Sequence, residues 1–307
     1  LEYLKARTGG TVPISLKQTW EETAVAPSFT GLLNETYGSG AAAAYSTRRL
    51  NGNYTGACMT ILRASDSTTT AIGFSSEDID EAAITTFCTG TTCTVQTWHD
   101  QSQTGGTGVG NDATQATAAN QPTIYTGGAI VKENGKVAAD FDADYLEHSL
   151  STSGGYSTSH LLIGLTSVNT PNNYTATFGV GNNADNVNGI ALLTAASTIP
   201  SNWGTYQAGS IQSTVSLSDG FRRLITMSRG ASGNGNFYTD GTTSGTYNGT
   251  SGTTYKSLGH PNTKDNIQEV IFYASDKSAD RADIESNVGD YFTQNTPLLD
   301  TYTGAAA

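Results

Sequence analysis

From about Gln121 onward, short apolar runs recur between turns rich in Gly, Ser, Thr, Asn and Asp. Runs of this length and alternation predict strands. They fall near Lys136–Phe141, Tyr145–His148, His160–Val168, Thr175–Val180, Ile190–Thr194, Gly204–Ala208, Phe221–Arg229, Asn236–Thr239, Tyr255–Leu258 and Gln268–Ala274. Asp240-Gly241 is a hairpin signal. Many short strands so spaced predict an all-β, two-sheet sandwich of jelly-roll type. Ser278–Phe292 reads as a closing helix, with Ser278 as its cap and Ile284, Val288, Tyr291 and Phe292 on one face.

The first part of the chain alternates less. Residues 1–30 read as an N-terminal arm whose apolar positions, Trp20 among them, are expected to pack on a neighbouring subunit or domain. Ala41–Leu50 is expected to be a short helix ending near Gly52, its alanines allowing close approach to a sheet. Cys58–Arg63 reads as a strand, with Thr68–Phe74 as its partner. Ser76 or Asp78 can cap a second short helix bearing Ile79, Ala83 and Phe87 on one side. Thr94–Trp98 is a further strand, ending in the His99-Asp100-Gln101-Ser102 turn. The division expected is an arm over 1–30, a subregion over 31–125, a β-sandwich over 126–295 forming one unit with it, and a tail over 296–307. That tail, Leu298-Leu-Asp-Thr-Tyr-Thr-Gly-Ala, echoes Leu32-Leu-Asn-Glu-Thr-Tyr-Gly. The echo predicts either a tandem array or segment exchange between copies.

The 307 residues suffice for a sizeable core. Charged residues make up only 14% of them, so solubility rests on hydroxyls and amides. The net charge of −12 supplies no basic stripe for phosphates, which argues against nucleic acid as a partner. No apolar window is long enough to span a bilayer, so no membrane insertion is expected. The chain opens at Leu1 rather than Met, which suggests that processing removed a segment.

The stretch Ala41–Ile124 carries a Ser46-Thr47-Arg48 segment, Phe87-Cys88 followed by Cys93, and the Trp98-His-Asp-Gln-Ser102 turn. It resembles the first part of the catalytic domain of family 54 α-L-arabinofuranosidases (arabinofuranosidase B). Asn236-Phe-Tyr-Thr-Asp-Gly241 also resembles the strand–turn signature of laminin-G and concanavalin A-like domains found in phage virion and surface proteins. The resemblance implies a Cys88–Cys93 disulfide, leaving Cys58 as a buried small hydrophobe. It also implies a catalytic Glu in an Asn-Gly-His-Met-Glu-Ala strand, matched here by Asn186-Val-Asn-Gly-Ile-Ala-Leu-Leu193, with aliphatic Ile190 to Leu192 at the carboxylate position. The family's acid/base Asp belongs to a Gly-Gly-Asp-Asn turn, matched by Gly259-His260-Pro261-Asn262. The family's adjacent-cysteine pair is absent. These departures imply a chain with no catalytic residues and no enzymatic activity.

Other residues offer candidate chemistry. Asp140, Asp142 and Asp144 would share one strand face, raising one another's pKa as a catalytic pair requires, or forming a calcium site. Glu147 sits with them. Asp185 and Asp265 read as solvated loop residues, and Glu269 as a structural hydrogen-bonding group. Asp100 is expected to fix its turn by accepting backbone N–H bonds, since His99 and Asp100 point to opposite faces. The four His residues are scattered, giving no Ser/His/Asp motif, and Gly105–Gly110 lacks the Lys-Ser/Thr end of a phosphate loop. Trp203, Tyr206, Tyr174 and Tyr247 are the candidate platform for a glycan. The resulting expectation is a non-enzymatic structural subunit of an extracellular or virion assembly (a phage tail, fibre or decoration protein). Its partners would be copies of itself and surface glycans, with no cofactor other than calcium. A cell-surface filament, a soluble glycan-binding module and an arabinofuranosidase-like glycosidase are the alternatives.

Overall fold

A computed structural model describes residues 29–102, 110–150, 160–168, 175–179, 188–193, 202–207, 210–216, 222–230, 234–247, 257–259, 261 and 264–292. In the strands between 167 and 216, and at His160 and Tyr247, the backbone alone is described. Residues 1–28 of the expected arm and the whole of the expected tail lie outside these residues. The first elements are β1 (Ala43–Ser46), β2 (Met59–Arg63), β3 (Thr68–Ile72), α1 (Glu81–Cys88), β4 (Cys93–Trp98), β5 (Thr123–Thr126), β6 (Ala139–Asp142) and β7 (Tyr145–Glu147). The next are β8 (His160–Val168), β9 (Thr175–Gly179), β10 (Asn188–Leu193), β11 (Asn202–Gln207), β12 (Ser210–Ser216) and β13 (Arg222–Arg229). The last are β14 (Gly235–Thr239), β15 (Thr242–Tyr247), β16 (Ser257–Gly259), β17 (Lys264–Tyr273) and α2 (Arg281–Tyr291).

All described strand pairs are antiparallel. β17 organises one layer: β8 lies along one edge from Leu161↔Tyr273 to Val168↔Asp265. Its other edge is shared by β1 (Ala43↔Phe272) and β6 (Ala139↔Ile267). Beyond β8 follow β13, β14 and β15. A second set of ladders runs β3–β2–β4–β5, and another runs β7–β16–β9–β10–β11–β12. This is the all-β sandwich that the alternation predicts.

Both faces of the β8–β17 layer are covered, which is why His160–Val168 reads as an almost unbroken apolar run. Leu162, Val270 and Phe272 join the core shared with Trp98, Met59 and Phe141. Leu161, Ile163, Leu165, Ile271 and Tyr273 share a cluster with Ile284 and Val288 of α2 and with Phe292 just after it. A register shift between Leu165 and Thr166 skips Gln268, so Ile267 returns to the same core as Val270.

Three local expectations are corrected. Ala41–Leu50 is not a helix: Ala43–Ser46 is a strand, because Ala43 and Tyr45 bury on one side and Ala44 on the other. The first helix begins at Glu81, capped by Asp80, whose carboxylate accepts from Ala83 N–H at 2.9 Å. It buries Ile84 and Cys88, while Ile79 belongs to a preceding two-residue strand. At α2, Asp280 occupies the cap position, and Ser278 donates to Asp276 instead.

Candidate active site

The Ser46-Thr47-Arg48 segment is explained by what lies under it. Arg48 is buried and donates from Nε to Glu269 Oε2 at 2.8 Å and from Nη2 to Oε1 at 3.0 Å. Ser46 Oγ donates to the same carboxylate at 2.7 Å, and Arg48 also reaches Asn287 of α2 at 2.8 Å. A buried pair needs this degree of satisfaction to offset its desolvation. Glu269 therefore has the structural role expected of it.

The His99–Ser102 turn is a second fixed point. Asp100 accepts from Ala44 N–H (2.8 Å), Ser102 N–H (2.9 Å) and Asn111 N–H (3.1 Å), as the sequence predicts. Gln101 stitches it to the neighbouring segment through Leu50 N–H, Ser46 O and Arg48 O. His99 turns away from Asp100 and pairs with Asp112, Nδ1 to Oδ2 at 2.8 Å, while its Nε2 meets Thr60 Oγ1 at 2.9 Å. Burial raises the Asp112 carboxyl, but the His99 and Asp100 hydrogen bonds outweigh it and hold the pKa below its ordinary value. This Thr60–His99–Asp112 relay was invisible in the sequence, where its members are 39 and 13 residues apart. The Cys88–Cys93 disulfide is present, with Cα atoms 5.8 Å apart, and Cys58 is buried.

The acidic cluster at the β6–β7 connection differs from its expected form. Asp140 and Asp142 lie on β6, but the strand ends there, and Ala143 takes a left-handed φ of 63°. That conformation is unfavourable for a residue with a Cβ. It rotates Asp144 out of strand phase and into the protein, leaving it 7% exposed. Its Oδ2 accepts from Asp142 N–H at 3.2 Å. Burial above all pushes Asp144 up to about 7; the Asp142 N–H pulls it back, and the charges of Asp140 and Asp142 add to the rise. Burial also raises Asp140, against Lys264 and with Asp142, and Asp140 Oδ1 is buried without a hydrogen-bond partner. Asp142 is exposed and paired with Lys264 at 2.6 Å. Glu147 is exposed on β7.

Gly259 closes over this turn. Its φ is +71°, and a Cβ there would lie 2.3 Å from the Phe141 ring and 2.6 Å from the Asp144 carbonyl oxygen. Gly259 and the Asp140–Asp144 turn are thus brought together, although more than a hundred residues separate them. Among the described residues, no three His, Cys, Asp or Glu side chains group so as to hold a metal. Asp140, Asp142 and Asp144, which the sequence offers as a calcium site, do not group in that way.

Of the expected glycan platform, Tyr174 lies outside the described residues. The structure gives Trp203, Tyr206 and Tyr247 a strand backbone only: Trp203 opposite Leu192 and Val215, Tyr206 opposite Gly189 and Ile211, and Tyr247 opposite Gly235. Asp185 also lies outside. Asp265 is corrected: it is a fully buried β17 residue, not a solvated loop carboxylate.

Residues 34–156 match the family model described as alpha-L-arabinofuranosidase B, catalytic. No curated protein sequence matches the chain. A family 54 α-L-arabinofuranosidase soaked with a cyclic sulfate inhibitor superimposes with a TM-score of 0.61 at 20% identity, covering 81% of this chain and 62% of that one. An arabinofuranosidase complexed with arabinofuranosyl-α-1,2-xylobiose gives a TM-score of 0.59 at 20% identity, with the same coverage. The chain thus spans about 62% of the length of these structures.

These findings overturn the expectation of a non-enzymatic virion, phage or surface-assembly subunit. What residues 34–156 match is a catalytic-domain model, and the two solved structures named are arabinofuranosidases. The expectation rested on aliphatic Ile190–Leu192 and on the Gly259–Asn262 turn. The side chains of Ile190–Leu192, and His260 and Asn262 of the turn, lie outside the described residues, while Asp144 is a buried carboxyl of a different segment. Absence of catalytic carboxylates therefore does not follow from those two motifs. Over residues 34–156 the chain is similar to the arabinofuranosidase B catalytic domain, and its fold is that of the family 54 arabinofuranosidases.

Proposed function

We propose that this chain is an arabinofuranosidase-like glycoside hydrolase domain acting on α-L-arabinofuranosyl groups of extracellular glycans. The observation that carries the reading is the catalytic-domain match over residues 34–156, inside a fold shared with arabinofuranosidases over 81% of the chain. A disulfide suits an oxidising, extracellular setting, and no described helix is long and apolar enough to cross a membrane.

The chemistry needs a protonated carboxyl to give a proton to the departing glycosidic oxygen. It also needs an ionised carboxylate to attack the anomeric carbon or activate water. Asp144, raised to about 7, holds its proton near neutrality and supplies the first. Asp142, exposed and ion-paired with Lys264, supplies the second. The proton leaves Asp144 as the C–O bond breaks, and it returns from the water that completes hydrolysis.

The test is release of 4-nitrophenol from 4-nitrophenyl α-L-arabinofuranoside, beside release of arabinose from an arabinoxylan. Asp144→Asn should lose about 10²–10⁴-fold on the poor leaving group of the polysaccharide. It should lose far less on nitrophenolate, which departs without acid help. Equal losses on both substrates would remove Asp144 from the acid role, and inactivity of the unmodified chain on both would remove the reading itself.

A further inference from the structure

Far from the acidic turn along the sequence, a cleft of about 190 Å³ opens between the Asp240-Gly241 turn and the first turns of α2. That volume is many times the ~10–15 Å³ that one water requires. Leu224 provides an apolar wall, and Asp240, Arg281, Glu285 and Ser286 provide the polar ones. Gly241 leaves its side of the cleft bare: its φ is +78°, and a Cβ there would stand 3.9 Å from Glu285 Oε2.

We propose that this cleft binds a neutral, polyhydroxylated ligand of monosaccharide size. Charge decides the class. Asp240 is paired with Arg223 at 2.7 Å and Glu285 with Arg281, so each carboxylate already has its counter-ion. Neither a free anion nor a free cation gains an uncompensated partner. Hydroxyl groups do, because the carboxylates accept O–H while Arg281 and Ser286 donate. Arg281 is itself held in place by stacking on Tyr238, 3.7 Å from the ring centre.

Glu285 is 5% exposed, and the Thr226 hydroxyl lies beside its carboxylate as a hydrogen-bond partner, so its place in the cleft wall is fixed. The inference does not depend on the glycosidase reading.

The experiment is ligand-observed saturation transfer and calorimetric titration of the full chain with L-arabinose, D-xylose, D-galactose and D-glucose. Acetate and ammonium serve as ionic controls, and backbone amide shifts locate the site. At least one sugar should bind saturably and shift the amides of Asp240, Gly241 and Ala282. Glu285→Gln should weaken that binding by at least about tenfold. Ala282→Trp, an exposed change that covers the mouth, should abolish it with melting temperature and nitrophenol release unchanged. Failure of every sugar to bind, shifts confined to the Asp140–Asp144 turn, binding unaltered in both variants, or preferential binding of acetate or ammonium would each overturn the proposal.

Discussion

Asp144 shows how one backbone angle alters the chemistry of a residue. The left-handed Ala143 drives its carboxyl inward, where burial disfavours the charge. An ordinary Asp titrates near 3.9, whereas Asp144 is raised to about 7. The folded state therefore binds this proton more tightly than the unfolded state does. Its stabilising contribution is complete below about pH 4 and is lost as pH rises through about 7. A difference of about three units corresponds to roughly 4 kcal/mol at most. Asp144→Asn, which mimics the neutral form, should raise the melting temperature at pH 8, leave it unchanged near pH 4, and still impair hydrolysis. A lower melting temperature at pH 8 would show the charged form to be structural instead. Asp142→Asn removes a like charge, so a ¹³C titration of the Asp144 carboxyl should show its pKa fall below 7.

At the scale of elements, the Arg48–Glu269 pair joins the segment that follows β1 to β17 and, through Asn287, to α2, with both charged groups buried. Arg48→Met strands a carboxylate in the interior and should cost about 3–5 kcal/mol in urea unfolding. The Arg48→Met/Glu269→Met double variant should recover most of that loss. If the single and double variants cost the same, burial of the charge is not what the arginine offsets. The Cys88–Cys93 bridge encloses a short loop and contributes less. Replacing both cysteines by serine should cost about 2 kcal/mol by loop entropy, and its measurement needs only the same unfolding curve with and without reductant.

At the scale of the whole molecule, the β8–β17 layer is shared by two apolar clusters, one inside the sandwich and one beneath α2. Helix and sandwich should therefore melt together. Ile284→Ala, a fully buried truncation, should cost about 2–5 kcal/mol. It should shift one calorimetric transition downward rather than create an earlier one. A separate low-temperature transition would mean that α2 docks on a sheet already stable without it.

Local chemistry was legible in the sequence wherever its cause is local. His160–Val168 is recovered end for end, because a strand buried on both faces must be apolar throughout. The Asp240-Gly241 turn is a hairpin, since its geometry depends on two adjacent residues. Asp100 could be assigned to its turn for the same reason, and the resemblance correctly implied the Cys88–Cys93 bridge. The strands Ser210–Ser216 and Thr242–Tyr247 went unread because Ser and Thr carry little contrast between faces, so backbone pairing alone defines them. Ala43–Ser46 was misread because alanine favours a helix until a sheet edge offers it a partner. Which carboxyl would be buried, which histidine would find which acid, and where a cleft would open were decided by contacts between distant segments: Asp144 under Gly259, His99 on Asp112, Glu285 beside Gly241. Burial and proximity are properties of the packed chain, and they set a group's protonation. The residue types were written in the sequence, and the packed chain decided which of them could do chemistry.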